Sequence, residues 1–424
     1  MKIHVVEKGD SLYQIAQRYK VDLQRLMNDN GLDEETTLMI GQSVGVRVPK
    51  TVYIVKQGDT LHSIALEFNI SPMEIIRNNS LLIYPYDVNI GDEIVISYKG
   101  EKLGETEING YAYPYIPETL LRVASPFLTN ISVFSFSFDE NGKLGYVNDG
   151  AILRVSGQYG TRPVLVLTNL SEDYDFSSEM AQMLLNNSEQ WEHMGSQILA
   201  EMRRRGYEEL LVDFEYIHPE DKDNYIQFLQ EMATIMRENG YAISVALAPK
   251  TSDEQMGLLY EAHDYKAIGS IVDGVYLMTY EWGYIYGDPM AVSPVNKVRE
   301  VLDYAVTQIP SEKIYIGLPN YGYNWMEPFD RTIPAQVVST REALELAVKY
   351  HAEIEFDEKA GAPFFTYYDE EKRKHIVWFQ DARSVQRLAE LIFEYRLRGA
   401  AVWNLMREYV PGWMVLASMY DIKE

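Results

Sequence analysis

The sequence contains no cysteine, so no disulfide staples the fold and no thiolate is available as nucleophile or metal ligand. Its seven histidines, His4, His62, His193, His218, His263, His351 and His375, fall at no spacing that suits a metal site. Neither a metal nor a cofactor is therefore expected. Basic charge is scarce: 38 Lys and Arg stand against 63 Asp and Glu, a formal net charge of −25. Nucleic acid and anionic membrane surfaces both select basic patches, so neither is expected as a partner. No apolar run reaches membrane-spanning length, which argues against membrane insertion. Met1-Lys2-Ile3-His4 leads directly into a folded-looking motif without the apolar stretch of a secretory signal, so synthesis without a signal peptide is expected.

What remains is ordinary globular material, 424 residues with 46% hydrophobic and 24% charged, enough for two or three domains. The charge is unevenly placed. Residues 1 to 100 hold 10 basic and 13 acidic residues, which leaves −22 of the −25 for the rest of the chain.

The near-neutral N-terminal part is an internal repeat. Val5-Val6-Glu7-Lys8-Gly9-Asp10-Ser11-Leu12-Tyr13-Gln14-Ile15-Ala16 recurs as Ile54-Val55-Lys56-Gln57-Gly58-Asp59-Thr60-Leu61-His62-Ser63-Ile64-Ala65, and Ile40-Gly41-Gln42 recurs as Ile90-Gly91-Asp92 after a one-residue slip. In each copy a β-rich stretch meets a Gly-Asp-Ser/Thr turn, and apolar residues then follow at helical spacing. Ser11 with Gln14 has the form of a capping box. A second short helix and a closing strand complete a βααβ unit, one over 1–49 and one over 50–98. Two copies in register make the segment resemble the LysM module. That resemblance implies binding of N-acetylglucosamine-containing glycans between the first turn and the loop after the second helix. The positions carried over are Gly9, Asp10, Ser11, Leu12 and Ile40 in the first copy, and Gly58, Asp59, Thr60, Leu61 and Ile90 in the second; capping and packing are the alternative use of the same residues.

Lys99 to Glu105 is polar and glycine-punctuated, and reads as a linker. Beyond it, eight short β-rich runs alternate with helical patterns: Ile108–Tyr113, Ile131–Phe138, Pro163–Thr168, Leu210–Phe214, Ala242–Ala248, Gly274–Met278, Ile314–Gly317 and Gly399–Trp403. Eight β/α alternations over 105–424 predict an α/β fold, a (β/α)8 barrel, with a small α+β insertion at about 330–380 between runs seven and eight.

Run four, Leu210-Leu211-Val212-Asp213-Phe214-Glu215, places two carboxylates in an apolar stretch. Side chains alternate along a strand, so Leu211, Asp213 and Glu215 share one face, with Glu215 at the C-terminal end where α/β barrels keep their chemistry. The segment resembles the Asp-x-x-Asp-x-Asp-x-Glu signature of family-18 glycoside hydrolases. Glu208, Leu211, Asp213 and Glu215 occupy its four acidic positions, so Leu211 replaces an acid outright. Tyr280, Trp403, Asn320-Tyr321-Gly322 and Ser244 to Pro249 match further positions of that family.

The resemblance implies a retaining, substrate-assisted cleavage in which Glu215 is the acid and then the base. Asp213 takes the acetamido N–H and stabilises the oxazolinium, Tyr280 donates to the acetamido oxygen, and Trp403 floors the sugar. Glu281, Trp282, Tyr321 and Trp325 are candidate sugar contacts. With its acid partner at 211 missing, Asp213 is expected to lean on Glu215 and raise the apparent pKa of the pair. The whole arrangement resembles the cortical fragment-lytic N-acetylglucosaminidases of bacterial spores, which implies peptidoglycan as partner and a spore location. A chitinase and a non-catalytic glycan-binding protein on a chitinase-like barrel are the alternatives.

Overall fold

Strands buried on both faces form where apolar residues run without alternation, and eight such runs close on one another. In the computed structural model, which describes residues 1–424 other than 81, 83 and 172, they are β1 (Glu105–Ala112), β2 (Asn130–Phe136), β3 (Arg162–Thr168), β4 (Glu209–Asp213), β5 (Ala242–Leu247), β6 (Gly274–Leu277), β7 (Ile314–Pro319) and β8 (Gly399–Trp403). Neighbours pair in parallel and in chain order, and β8 returns to β1 through Gly399↔Glu107 to Val402↔Gly110. The expected (β/α)8 barrel is thus present.

Alternation along each strand divides the core in two. Leu210 and Val212 face outward into the layer between barrel and helices, where they join Tyr225, Phe228 and Met232 of the helix Lys222–Glu238. Leu211 faces inward with Tyr111, Phe134, Val164, Val166, Ala246, Tyr276, Tyr315 and Ala401. The same alternation sends Glu209, Asp213 and Glu215 to the barrel axis, two to the C-terminal mouth and one to the opposite end.

The insertion carries a five-stranded antiparallel sheet and the helix Thr340–Lys349. Its sheet takes in the strand Tyr321–Met326, which begins directly after β7.

Each N-terminal repeat is a two-stranded antiparallel ribbon with two helices: Lys2–Val5 with Ser43–Val46, and Pro49–Ile54 with Glu93–Tyr98. Only the second copy has the complete capping box, between Thr60 and Ser63. In the first, Ser11 accepts from the Gln14 amide at 3.3 Å, but its hydroxyl also donates to Gln14 Oε1 at 3.2 Å. The Gln14 side chain is thereby held at the hydroxyl and does not reach back to the Ser11 amide, so the expected box is half-formed.

Neither module hangs on a free tether. The first lies along the helices Ala382–Glu394 and Val410–Met419. The second inserts Arg77, which donates to Pro126 O at 2.6 Å and Ile422 O at 2.9 Å. The linker is fastened as well, with Leu103 N donating to Met419 O at 2.7 Å and Lys102 paired with Asp421 at 2.8 Å.

Candidate active site

Asp213 is the last residue of β4 and is only 4% exposed. Its Oδ1 is buried without a hydrogen-bond partner among the described residues. Burial raises its pKa to about 7, because the charged form has lost its water and gained no donor in exchange. Glu215, two residues further on the same face, is pushed well above the usual carboxylate range by burial, and then by the charges of Asp213 and Glu281. No hydrogen bond joins Asp213 to Glu215; where the sequence led us to expect Asp213 to lean on its neighbour, the two act on each other through their fields.

The short segment that carries both acids is held by its main chain. Asn169, just past β3, accepts from Glu215 N at 3.0 Å and donates to Glu215 O at 2.8 Å and Ser177 O at 2.9 Å. From the other side, His263 Nδ1 accepts from Ala248 N at 3.0 Å, which leaves Nε2–H to donate to Phe214 O at 3.1 Å. Burial lowers its pKa to about 4, so it serves as a neutral strut.

Tyr280 follows β6 and its ring lies against Gly317 of β7. A Cβ there would sit 2.5 Å from Tyr280 Cε1, so the glycine is what admits the ring. Trp403, at the end of β8, meets Phe134, Tyr111 and Tyr113 edge-on at 4.9, 5.3 and 6.1 Å between ring centroids. These contacts fix the indole as a rigid apolar floor. The mouth thus gathers Asp213, Glu215, Tyr280 and Trp403 from three different strand ends.

The other candidates are placed less uniformly. Glu281, at a φ of +65°, accepts hydrogen bonds from the Tyr321 hydroxyl and, at 3.0 Å, from that of Tyr323. Tyr321, itself buried, is therefore a support for Glu281. Trp325, 4% exposed, lies tilted against Tyr323 at 5.4 Å and donates to Gly287 O at 3.0 Å. Trp282 is carried past the turn at Glu281 and packs against the outer core between barrel and helices.

In the repeats, Asp10 and Asp59 are turn-builders. Asp10 accepts from Glu7 N and His4 Nε2, both at 2.9 Å, and Asp59 from Lys56 N and the Tyr53 hydroxyl, both at 2.8 Å. Ser11 and Thr60 cap helices, Leu12 and Leu61 are core, and Gly9 and Gly58 stand at φ of +93° and +90° in open space. The second loops differ. Ile90 is 70% exposed, whereas Ile40 O accepts from Ile354 N of the insertion at 2.9 Å and Arg383 donates to Gly41 O at 2.9 Å.

Sequence reasoning missed Tyr111, Tyr113, Asn169 and His263. The first two were within reach, since alternation from Asn109 puts both on the inner face of β1 near its C-terminal end.

The sequence profile described as Glycosyl hydrolases family 18 matches residues 168–408, more than half of the chain. The protein belongs to glycosyl hydrolase family 18. The family-18 match contains the whole of the acid pair, Tyr280 and Trp403, and the LysM domain profile matches 4–46 and 53–97. The chain is 39% identical to the cortical fragment-lytic enzyme of Bacillus subtilis (strain 168), over all of this chain and 99% of that protein. It is 35% identical to the Bacillus megaterium QM B1551 spore cortex-lytic enzyme SleL, whose crystal structure superposes with a TM-score of 0.84 over 99% of this chain and 98% of that one. A chitinase from Chromobacterium violaceum, 20% identical with a TM-score of 0.68 over 73% of this chain and 98% of its own, shares the barrel fold.

Proposed function

We propose that this glycoside hydrolase cleaves β-1,4 bonds on the reducing side of N-acetylglucosamine in spore cortex peptidoglycan, by a retaining, substrate-assisted route. The observation that carries the reading is the Asp213–Glu215 pair, Asp213 buried and Glu215 half-buried, with raised pKa values, at the mouth that also holds Tyr280 and Trp403. A carboxyl that keeps its proton near neutrality is what protonation of a leaving glycosidic oxygen requires. Glu215, at the strand end, gives that proton. The 2-acetamido oxygen of the sugar then attacks its own anomeric carbon, so no enzyme nucleophile is needed. Asp213 holds the acetamido N–H, for which its unpartnered Oδ1 is free, and Tyr280 donates to the acetamido oxygen as charge leaves it. Glu215, now ionised, takes a proton from the water that opens the oxazolinium, and the product keeps the β configuration.

Full-length similarity to cortical fragment-lytic enzymes supports cortex as the polymer and the spore as the location. The two LysM modules hold the enzyme on the wall through the turns at Gly9 and Gly58, with the exposed Ile90 beside the second. Because both modules are docked on the barrel, they present the catalytic mouth in a fixed orientation to the glycan they hold.

Glu215→Gln tests the assignment. The amide keeps the shape and cannot deliver a proton, so release of soluble fragments from cortex should fall at least a hundredfold while wall binding stays. Residual activity within tenfold would remove Glu215 as the acid. Mass spectrometry of products from cortex peptidoglycan and from chitin oligomers separates this reading from a chitinase, and early-time NMR showing an inverted product would exclude the mechanism.

A further inference from the structure

The mouth is acidic on an acidic barrel, yet one cation stands at it with nothing to do. Arg407 lies four residues beyond Trp403, and the chain between them is pinned over the barrel: Leu405 N donates to Tyr111 O at 2.8 Å, and Asn320 Nδ2 donates to Asn404 O at 2.6 Å and to Arg407 O at 3.5 Å. Arg407 is half-buried. Among the described residues its guanidinium makes no ion pair within 4 Å and no hydrogen bond. A nearby arginine is taken, Arg341 by Glu408 at 2.9 Å. The field of Arg407 reaches the hydroxyls of Tyr113 and Tyr323, favouring the ionised form of each against burial, and more weakly the Glu342 carboxylate, which is held in its own helix cap by Ser339. Tyr113 borders Trp403, and Tyr323 holds Glu281. The guanidinium therefore overlooks the cleft beside the sugar floor, between the loop after β1 and the insertion.

A half-buried guanidinium with no carboxylate in hydrogen-bond reach suits one brought by the ligand, since its planar fork binds a carboxylate bidentately. We propose that Arg407 binds a carboxylate on the sugar adjacent to the one seated on Trp403, and so sets a preference for acidic over neutral glycans. The inference rests on the peptidoglycan reading. In a polymer where N-acetylglucosamine alternates with a muramic sugar, both neighbours of the seated residue are muramic, so whichever side Arg407 faces it meets a sugar that can carry the acid. That sugar offers a free lactyl carboxylate or the carboxylates of a peptide joined to it, and neither where its lactyl group is closed into a lactam. Chitin offers neither.

The test compares wild type, Arg407→Gln and Arg407→Lys on three soluble substrates: an alternating tetrasaccharide with free lactyl groups, the same with a peptide on each lactyl group, and the neutral chitin tetramer. Loss of one charge-assisted contact predicts about a ten- to hundredfold fall in kcat/KM for Arg407→Gln, carried by KM, on whichever acidic substrate supplies the carboxylate. The chitin tetramer should change less than twofold, and Arg407→Lys should recover part of the loss. Equal losses on acidic and neutral substrates, or no loss on either acidic one, overturn the proposal. If wild type cuts only the chitin tetramer, the peptidoglycan reading falls and the role of Arg407 with it; if wild type cuts the acidic substrates and Arg407→Gln matches it, only the role of Arg407 falls.

Discussion

Strand β4 buries two acids on one face, Glu209 at the bottom of the barrel and Asp213 at the top, with Leu211 between them, and their surroundings are opposite. At the bottom every acid is answered. Ser244 donates to Glu209, and beside it Glu107 accepts from the Tyr315 hydroxyl at 2.6 Å and from Arg398 at 3.1 Å, with Arg162 and Lys423 within 3.6 Å. At the top Asp213 has no donor for Oδ1. A buried acid supplied with partners braces a fold, and one left without them stores free energy that only a ligand can release. Leu211 keeps the two ends apart by filling the position between them with hydrocarbon.

The largest effect expected from this contrast is that of Asp213→Asn. Losing the group that meets the acetamide should lower kcat by about a hundredfold or more. Stability should move the other way. A pKa of about 7 in the folded chain exceeds the unfolded value, so the folded state favours the proton; that advantage is whole below pH ~4 and is lost as pH rises through 7. The amide avoids the loss, so Asp213→Asn should match wild type in thermal stability at pH 4 and exceed it at pH 8 by about 4 kcal/mol. Equal melting temperatures at both pH values would mean that the carboxylate is not isolated, and the contrast between the two ends would be gone.

Glu107→Gln should do the reverse at smaller amplitude. Burial works against the Glu107 charge, but the Tyr315 hydroxyl, Arg398, Arg162 and Lys423 together outweigh it and hold its pKa below the usual range. The stability it contributes is present above pH ~4.3 and lost as pH falls further. Removing the charge leaves Arg398 facing a neutral amide, at a cost of about 2 kcal/mol at pH 7 that shrinks at lower pH. Turnover of soluble fragments should stay within twofold, since the bottom of the barrel does not meet substrate. A large loss of activity would show that the two ends are coupled.

Much of this arrangement is legible in the sequence, because it follows from periodicity. The eight runs, the inward face of β4, and the Tyr280 and Trp403 strand ends are all read from alternation and spacing. What is not legible depends on contacts between distant residues. Asn169 holds Glu215 from 46 positions away and His263 holds Phe214 from 49, and neither lies in a pattern that marks it. The two repeats show the same limit. Ile40 and Ile90 match in sequence, yet one loop is clamped to the insertion and the other is open, and only the fold brings Ile354 to the first. Arg407 looks like any loop arginine until its lack of a partner is seen.

The smallest effect expected, and the one that sharpens the comparison most, is that of Glu209→Gln, the same acid-to-amide change as at Asp213 made at the other end of the same face. Burial raises the pKa of Glu209, opposed by the Ser244 hydrogen bond and by Arg398 and Arg162. A raised value means the folded state favours the proton here too, so the stability tied to that proton is whole below pH ~4.3 and lost as pH rises through the folded value. The amide gives up little: its carbonyl oxygen still accepts from Ser244, and its N–H2 can face the buried Tyr276 hydroxyl, which has no partner. Glu209→Gln should therefore change stability by less than about 1 kcal/mol at pH 7 and leave kcat and KM unaltered, with any gain growing between pH 4 and pH 8. If it instead lowers the melting temperature as much as Glu107→Gln and does so most at high pH, Glu209 is ionised and paired with the arginines. The bottom of the barrel would then hold two charged acids, and the apolar gap at Leu211 would be insulating Asp213 from a negative charge rather than from a neutral carboxyl, which is a stronger reason for an acid to be missing at 211.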